Sequence, residues 1–457
     1  MHIHILGICG TFMGGVAALA KAAGHRVSGG DATIYPPMST QLKDLGIAVH
    51  DGYDVDQLEP TPDCVVIGNA MSRGNAAVEA VLDRGIPYTS GPQWLSEHVL
   101  KGRHVIAVAG THGKTTTASM LAWILEETGH SPGFLIGGVP ANFGVTARYG
   151  ESKYFVVEAD EYDTAFFDKR AKFVHYRPDT LILGNLEFDH ADIYKDLDAI
   201  LWQFHQMLRT IPGRGRIILN SADENLKTLL EMGCWSTTES FGIGEGDEDW
   251  TARFLDAGER RISVSQRGGA TAEGSWQLGG SYNLENALAA IAAAKSAGVS
   301  VQQALAALSR FKGVKRRLER TATVADIAIY DDFAHHPTAI RRTIAGLKKR
   351  FPGQRIVVAL EPRSNTMKLG VHNEALAASL EDASLACIYR PSDFAAEFDD
   401  CLASLGDRLH LHSDYDELVA DLAAELQPGD QVVFMSNGGF GSARQKLTGI
   451  LQKSHQP

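Results

Sequence analysis

HVIAVA-GTHGKTTT-ASMLAWIL, running from His104 to Leu125, is the stretch whose reading decides the fold class. The apolar run His104 to Ala109 predicts a buried strand, and Ala118 to Leu125 predicts a helix. Between them lies a glycine-punctuated turn. A strand, a Gly-rich turn and a helix N-terminus in this order aim backbone N–H groups and the positive end of the helix dipole at one point, which suits a phosphate. Lys114 adds a point charge there, and the Thr115 hydroxyl is of the type that ligates Mg²⁺. The stretch departs from the G-x-x-x-x-G-K-[ST] pattern, because Val108 stands where the first Gly would be. The reading is a nucleotide triphosphate site on Gly110, Thr111, His112, Gly113, Lys114, Thr115 and Thr116.

Outward from this unit, short apolar runs ending in Gly, Asn or Asp alternate with amphipathic stretches, the signature of βαβ units on parallel sheets. The fold class is α/β. Three sections are expected, at 1–101, 102–318 and 319–457, each built on a mostly parallel sheet. The first holds strands at His2 to Leu6, Arg26 to Ser28, Ile47 to His50 and Cys64 to Gly68, with a helix near Gly14 to Ala23. The second continues with strands at Tyr154 to Glu158, Thr180 to Gly184 and Arg216 to Asn220, then a Gly-rich β-like stretch and an Ala-rich helix, Asn283 to Ala297. The third holds strands at Ile327 to Asp331, Arg355 to Leu360, Leu385 to Tyr389 and Gln431 to Met435.

The chain has 457 residues, 44% hydrophobic and 21% charged, the balance of a globular protein large enough for about three domains. Lys plus Arg number 43 against 55 Asp plus Glu, a net charge of −12, so no general attraction to nucleic acid or to an anionic bilayer is expected. Any anionic ligand must be held by local groups. The five cysteines are scattered with no C-x-x-C pair, which indicates neither a disulfide framework nor a cysteine zinc site. The start, MHIHILGICG, has no leader-like character, and no apolar run approaches the roughly 18 residues of a membrane span. A cytoplasmic protein is expected.

Further groups with chemistry follow apolar strands. Glu158-Ala-Asp160-Glu161-Tyr-Asp163 clusters four carboxylates, hard ligands suited to Mg²⁺, although a solvated acidic loop is an equal alternative. In Gly184-Asn185-Leu-Glu187-Phe-Asp189-His190 the His, Asp and Asn offer a second metal site or a means to position a nucleophile, with a helix-capping Asp-His pair as the alternative. The turn from Gly7 to Gly15, with Asp31 after the second strand, looks like a phosphate-binding βαβ opening, but its glycines are not spaced G-x-G-x-x-G, which disfavours a dehydrogenase. Asn283 and Asn286 open the Ala-rich helix, and Lys315-Arg316-Arg317 precedes the third section. In Asp331-Asp332-Phe-Ala-His335-His336-Pro337, capping a helix or lying near ATP fits the two histidines better than a metal.

GTHGKTTT, EADEYD, GNLEFDH, the N-x-x-N helix start, KRRLE and YDDFAHHPTA, in this order and across all three sections, resemble the ATP-dependent Mur ligase family of peptidoglycan synthesis. The resemblance implies a Rossmann-like first domain for a UDP-sugar, a P-loop ATPase domain, and a Rossmann-like C-terminal domain that brings the amine substrate. It implies ATP and Mg²⁺ as cofactors. Lys114, Glu158, His190 and Arg317 would serve catalysis, with Thr115, Glu158 and His190 at metal ions. Asn286 would meet adenine, Arg317 the phosphates and Asp332 the ribose. Gly7, Gly10, Thr11, Asp31 and Asn69 would face the UDP-sugar. One departure is Tyr282, where relatives often carry His in G-x-H-N-x-x-N. Another is Leu201 to Gln206, which lacks the lysine that some members carbamylate.

GICGTFMGG, GNAMSRGN, SGPQWL, EPRSNTMKLG and MSNGGFG most resemble the branch that joins UDP-N-acetylmuramate to the murein tripeptide L-alanyl-γ-D-glutamyl-meso-diaminopimelate. Arg363, Ser364 and Asn365, just after the strand RIVVAL, are the expected tripeptide contacts. An Arg363–Glu361 ion pair is the bland alternative. The rival functions are a ligase for L-alanine and a non-catalytic UDP-sugar sensor.

Overall fold

The strand His104–Ala109 lies inside a ten-stranded sheet of the computed structural model, which describes residues 1–390, 394 and 397–454, the side chains of Asn365 and Glu397 excepted. Its neighbours are the parallel strands Thr180–Leu183 and Tyr154–Glu158. All three end on the same edge, so the turns after Ala109, Glu158 and Leu183 converge, as α/β sheets place their ligands. Parallel pairing continues through Arg216–Asn220, Thr237–Ile243 and Trp250–Phe254. Arg261–Gln266 and Thr271–Ser275 finish that side antiparallel. These last four are the Gly-rich β-like stretch of the sequence. On the other side Gly133–Leu135 and the short Ala147–Arg148 were not visible in the sequence pattern, being too short to show a period.

The first sheet is five-stranded and wholly parallel, with His2–Leu6 in the centre, Arg26–Asp31 and Ala48–Asp51 to one side, and Cys64–Ile67 and Tyr88–Ser90 to the other. The second strand outruns its expected end at Ser28, because Gly29 and Gly30 hold the ladder in the crowded space against Ile5 and Gln57. The helix begins at Thr11 rather than near Gly14. The third sheet has Ile327–Asp332, Gln431–Met435, Ile356–Leu360, Leu385–Tyr389 and Leu409–His412 in parallel, edged by antiparallel Glu319–Val324. Both edge strands escaped the sequence reading, since their half-exposed, mixed composition resembles loop.

The joints between the sheets differ in kind. One continuous apolar core runs from Ile3, Val16 and Leu19 of the first sheet to Leu135, Phe155 and Val157 of the central one. Helix Thr11–Ala22 approaches so closely that a Cβ on Gly15 would stand 2.2 Å from Leu135 Cδ1. The third sheet has apolar cores of its own on its two faces. It meets the central section through polar pairs, among them Arg342–Glu285 at 3.2 Å and Thr338 Oγ1–Glu187 Oε2 at 2.8 Å. Among the described residues no helix is long and apolar enough to cross a membrane, and the cysteines are free.

His4, in the central strand of the first sheet, is fully buried between Ser28 (2.9 Å) and Gln57 (3.0 Å). Burial first, with His50 and His2 adding to it, lowers its pKa to about 4. Below about pH 6.5 the unfolded chain binds a proton that the folded chain refuses, so stability falls as pH drops from about 6.5 toward 4, by up to roughly 3 kcal/mol from this group. Urea unfolding at about pH 7 and about pH 5 should therefore show a smaller acid loss in His4→Gln than in the wild type. Equal losses would remove His4 from the account.

Candidate functional site

Local backbone geometry builds the phosphate turn. Gly110 (φ +138°) and Gly113 (φ +82°) adopt conformations that side-chain-bearing residues rarely take. A Cβ on Gly110 would lie 2.8 Å from the Asn185 carbonyl, and one on Gly113 would lie 2.4 Å from Asn286 Oδ1. Gly113 is the N-cap of helix Lys114–Glu127. Asn185, from the end of the next strand, clamps the turn at both ends of His112: its Oδ1 accepts from His112 N (2.8 Å) and its Nδ2 donates to His112 O (3.0 Å). Thr111 is tied likewise, since its Oγ1 accepts from Glu187 N at 2.8 Å. The loop is thus shaped before any ligand arrives.

Charge is concentrated just behind it. Lys114 Nζ donates to Gly110 O and to Glu161 Oε2, each at 2.7 Å, with Asp160 Oδ1 at 3.8 Å. Burial pushes this ammonium down, but Glu161 and Asp160 together outweigh burial and hold its pKa above the ordinary lysine value. Glu161 is 3% exposed. Burial would raise its pKa, yet Lys114 and His190 prevail and keep it ionised. His190 Nε2 sits 3.1 Å from Glu161 Oε1, and its pKa is raised because Glu161 and Asp189 offset its burial. The His190 backbone is left-handed (φ +57°), with its N–H on Asp189 Oδ1 at 2.7 Å, and its ring lies against Tyr162. Lys114, Glu161 and His190 form one chain of alternating charge.

A second chain runs through Thr115, whose Oγ1 donates to Glu158 Oε1 at 2.8 Å and accepts from Arg317 Nη2 at 3.1 Å. Glu158 Oε2 takes the Gly137 N–H at 2.6 Å. Burial nevertheless raises the Glu158 pKa, because Lys114 offsets only part of that cost. A buried carboxylate short of cationic partners, beside a hydroxyl oxygen, is the hard oxygen set that Mg²⁺ takes. The residues therefore fit a magnesium ion at Thr115 and Glu158. His190, engaged with Glu161, offers a nitrogen at a neighbouring position.

The C-terminal section closes over this edge. Asp332 is 6% exposed, and its oxygens accept from Ala334 N (3.0 Å) and Thr343 Oγ1 (3.1 Å) while Arg317 supplies charge. The expected ribose contact is at present a clamp on its own helix. His336 caps helix Pro337–Arg350, its Nδ1 accepting from Thr338 N at 3.2 Å, in line with the capping role expected for this motif. Its ring lies tilted against His112 and edge-on to His372, with centroids 4.6 and 4.4 Å away. Thr366 Oγ1 donates to Asp189 Oδ1 at 3.0 Å, linking the EPRSNTMK segment to the His190 turn. Tyr282 is half-buried against Gly280 and Gly346.

Asn286 packs on Gly113 and lines, with His112, Lys114 and Asn185, a cavity beside the turn. Asn283 lies in the first turn of helix Ser281–Ala294 rather than at its N-cap: Gly280 holds that place, with its N–H on Glu259. In the first section Gly7 (φ +79°), Gly10 and Thr11 form the turn into the first helix, and Asp31 Oδ2 accepts from Cys9 N at 2.8 Å, drawing that turn over the strand end where Asn69 also lies. Arg363 is 58% exposed and only 3.9 Å from Glu361 Oε1, while Ser364 Oγ accepts from Met367 N at 3.3 Å. The Asn365 side chain lies outside the described residues.

From sequence, Glu161, Glu187 and Thr366 were only members of their motifs, and Asn185 was a candidate for a metal site or for positioning a nucleophile rather than a clamp on the phosphate turn. Glu161 had a signal, as one of the four carboxylates of EADEYD. The other three act through partners more than 70 positions away, which no local pattern reveals.

This fold and site define a class. The chain matches the "Mur ligase family, catalytic domain" over residues 2–103, the "Mur ligase middle domain" over 108–294 and the "Mur ligase, glutamate ligase domain" over 316–438. It belongs to the Mur ligase family. Within the family it is 53% identical to the UDP-N-acetylmuramate--L-alanyl-gamma-D-glutamyl-meso-2,6-diaminoheptandioate ligase of Escherichia coli (strain K12), covering 99% of each chain. It is 30% identical to the UDP-N-acetylmuramate--L-alanine ligase of Desulforapulum autotrophicum, covering 98% of each. The crystal structure of a murein peptide ligase from Psychrobacter arcticus matches with a TM-score of 0.78 and 48% identity over 99% of each chain.

Removing one partner of a buried pair typically costs about 3–5 kcal/mol, because the other charge stays buried. Glu161→Gln should therefore destabilise the fold by about that amount in denaturant unfolding, and saturating polyphosphate should recover part of the loss by giving Lys114 a new counter-charge. A variant as stable as the wild type would show that the pair is not the support described.

Proposed function

We propose that the chain is an ATP-dependent ligase that joins UDP-N-acetylmuramate to L-alanyl-γ-D-glutamyl-meso-diaminopimelate, in the recycling of cell-wall peptide in the cytoplasm. The observation that carries this reading is the full-length 53% identity to the E. coli tripeptide ligase, set against 30% to the L-alanine ligase. The intact charge chain around Lys114 supports catalysis rather than passive sensing, because a sensor needs no buried metal-type carboxylate.

Residues 1–101 would hold the UDP-sugar at Gly7, Gly10, Thr11, Asp31 and Asn69. Residues 102–318 would bind ATP on Gly110 to Thr116 and Asn286, and residues 319–457 would bring the tripeptide. The lactyl carboxylate of UDP-N-acetylmuramate attacks the γ-phosphate of ATP, releasing ADP and leaving an acyl phosphate. The peptide amine then adds to that carbonyl, phosphate departs, and the amine proton passes to solvent or a nearby base. Anionic partners meet in both steps, so the protein's task is to offset charge. Lys114 and Arg317 do so at the phosphates. Mg²⁺ at Thr115, Glu158 and His190, when bound, offsets further phosphate charge. Asn185 and the two glycines hold the backbone donors still, which spares reorganisation at the moment of transfer.

Lys114→Ala should lower ADP release in the presence of UDP-N-acetylmuramate and tripeptide by at least about 100-fold with the fold retained. Near-normal turnover would reject the ATP site.

Arg363, exposed and loosely paired, is free to grip a substrate carboxylate. Arg363→Ala should raise the tripeptide KM by about tenfold and leave the ATP KM unchanged. Equal wild-type use of L-alanine and tripeptide would reassign the chain to the L-alanine ligases.

A further inference from the structure

On the far side of the C-terminal sheet, away from the phosphate turn, the strand register gathers a second set of ligating side chains. Cys387 lies on Leu385–Tyr389 and is paired in register with His410 on the edge strand Leu409–His412. Side chains two apart on a strand share a face, so His412 stands on the same face as His410. That face is covered by helix Tyr415–Glu425, which contributes Asp421.

All these groups turn to one atom. Asp421 Oδ2 lies 2.6 Å from His410 Nδ1, 2.9 Å from His412 Nε2 and 3.8 Å from Cys387 Sγ. Donor atoms of Cys387, His410 and Asp421 all fall within 4.8 Å of one another. The thiol is buried, while the two imidazoles and the carboxylate are 18–27% exposed, so an ion has a route in from solvent. Glu425, one helical turn beyond Asp421, adds negative charge near the thiol. Tetrahedral Zn²⁺, with bonds of about 2.0–2.3 Å, needs ligand–ligand edges of about 3.3–3.8 Å. The Asp421–Cys387 edge already meets this, and the two Asp421–imidazole edges need to open by less than about 1 Å; His412 lies outside the compact group of three and would swing in to complete the set.

We propose that Cys387, His410 and Asp421, with His412 as the fourth donor, form a binding site for a thiophilic divalent cation of the Zn²⁺ type. Thiolate and imidazole select such an ion over Mg²⁺, so the site is chemically separate from the oxygen set at Thr115 and Glu158. On binding, the Cys387 thiol proton is released to solvent, and each neutral imidazole carries its proton on the nitrogen that does not ligate. The ion ties the edge strand to its neighbouring strand and to the covering helix. No C-x-x-C spacing announces the site, because its ligands come from two strands and a helix.

Cobalt is the probe for the test, on the full-length, tag-free, metal-stripped protein. One equivalent of Co²⁺ should give visible bands of tetrahedral cobalt and a sulfur-to-cobalt charge-transfer band in the near ultraviolet, all displaced by Zn²⁺ and not by Mg²⁺. Cys387→Ser should lose the near-ultraviolet band, His410→Gln should weaken binding by more than about 100-fold, and Cys401→Ser should change neither. X-ray absorption of the zinc-loaded wild type needs no substitution and should show one sulfur among nitrogen and oxygen neighbours. A shell of nitrogen and oxygen only, a charge-transfer band that survives Cys387→Ser in a folded variant, or no stoichiometric binding would each overturn the proposal and leave a hydrogen-bonded clamp on Asp421.

Discussion

An ammonium buried at the mouth of a glycine turn is the constraint on which the rest of the site depends. Burial works against the charge on Lys114, which Glu161 and Asp160 hold up, and against the charge on Glu161 at 3% exposure, which Lys114 and His190 hold in place. Each member is therefore held where a phosphate would meet it. The overall charge of −12 gives no attraction for nucleotide or UDP-sugar, so these buried cations, with Arg317, supply the attraction locally. The cost of burying them is offset by the carboxylates that would also face the metal. Glu158 differs, because its burial is less fully compensated, which is the condition of a ligand awaiting a cation.

The two inter-section joints divide the labour. An apolar core shared by the first and central sheets fixes the first section relative to the phosphate turn. Among the described residues, polar pairs such as Arg342–Glu285 and Thr366–Asp189, with ring contacts such as His112–His336, join the C-terminal sheet to the centre, with no shared apolar core. Polar interfaces of this kind exchange readily with water and permit relative motion. That suits the role proposed for this section, to admit a peptide and then present its amine.

Much of this was legible in the sequence, for identifiable reasons. Buried parallel strands such as His104–Ala109, Tyr154–Glu158 and Gln431–Met435 are continuous apolar runs, so their bounds could be read to the residue. Edge strands such as Leu409–His412 and Glu319–Val324 carry mixed side chains and were missed. Candidate residues anchored by a glycine turn or a strand end could be named from sequence, and the structure gathers Lys114, Thr115, Glu158 and His190 at one sheet edge. The clamp role of Asn185 and the link made by Thr366 could not be read, because both rest on partners distant along the chain. The histidines 410 and 412 show the same limit, since only the sheet register brings them to Cys387.

The most direct measurement is a crystal structure with Mg²⁺, a non-hydrolysable ATP analogue and UDP-N-acetylmuramate. The account predicts that Lys114 Nζ leaves Glu161 for the terminal phosphates, that the Gly110–Thr116 backbone keeps its present shape, and that Glu158 and His190 take metal ions. A nucleotide bound elsewhere, or a Lys114–Glu161 pair unchanged beside the bound phosphates, would contradict it.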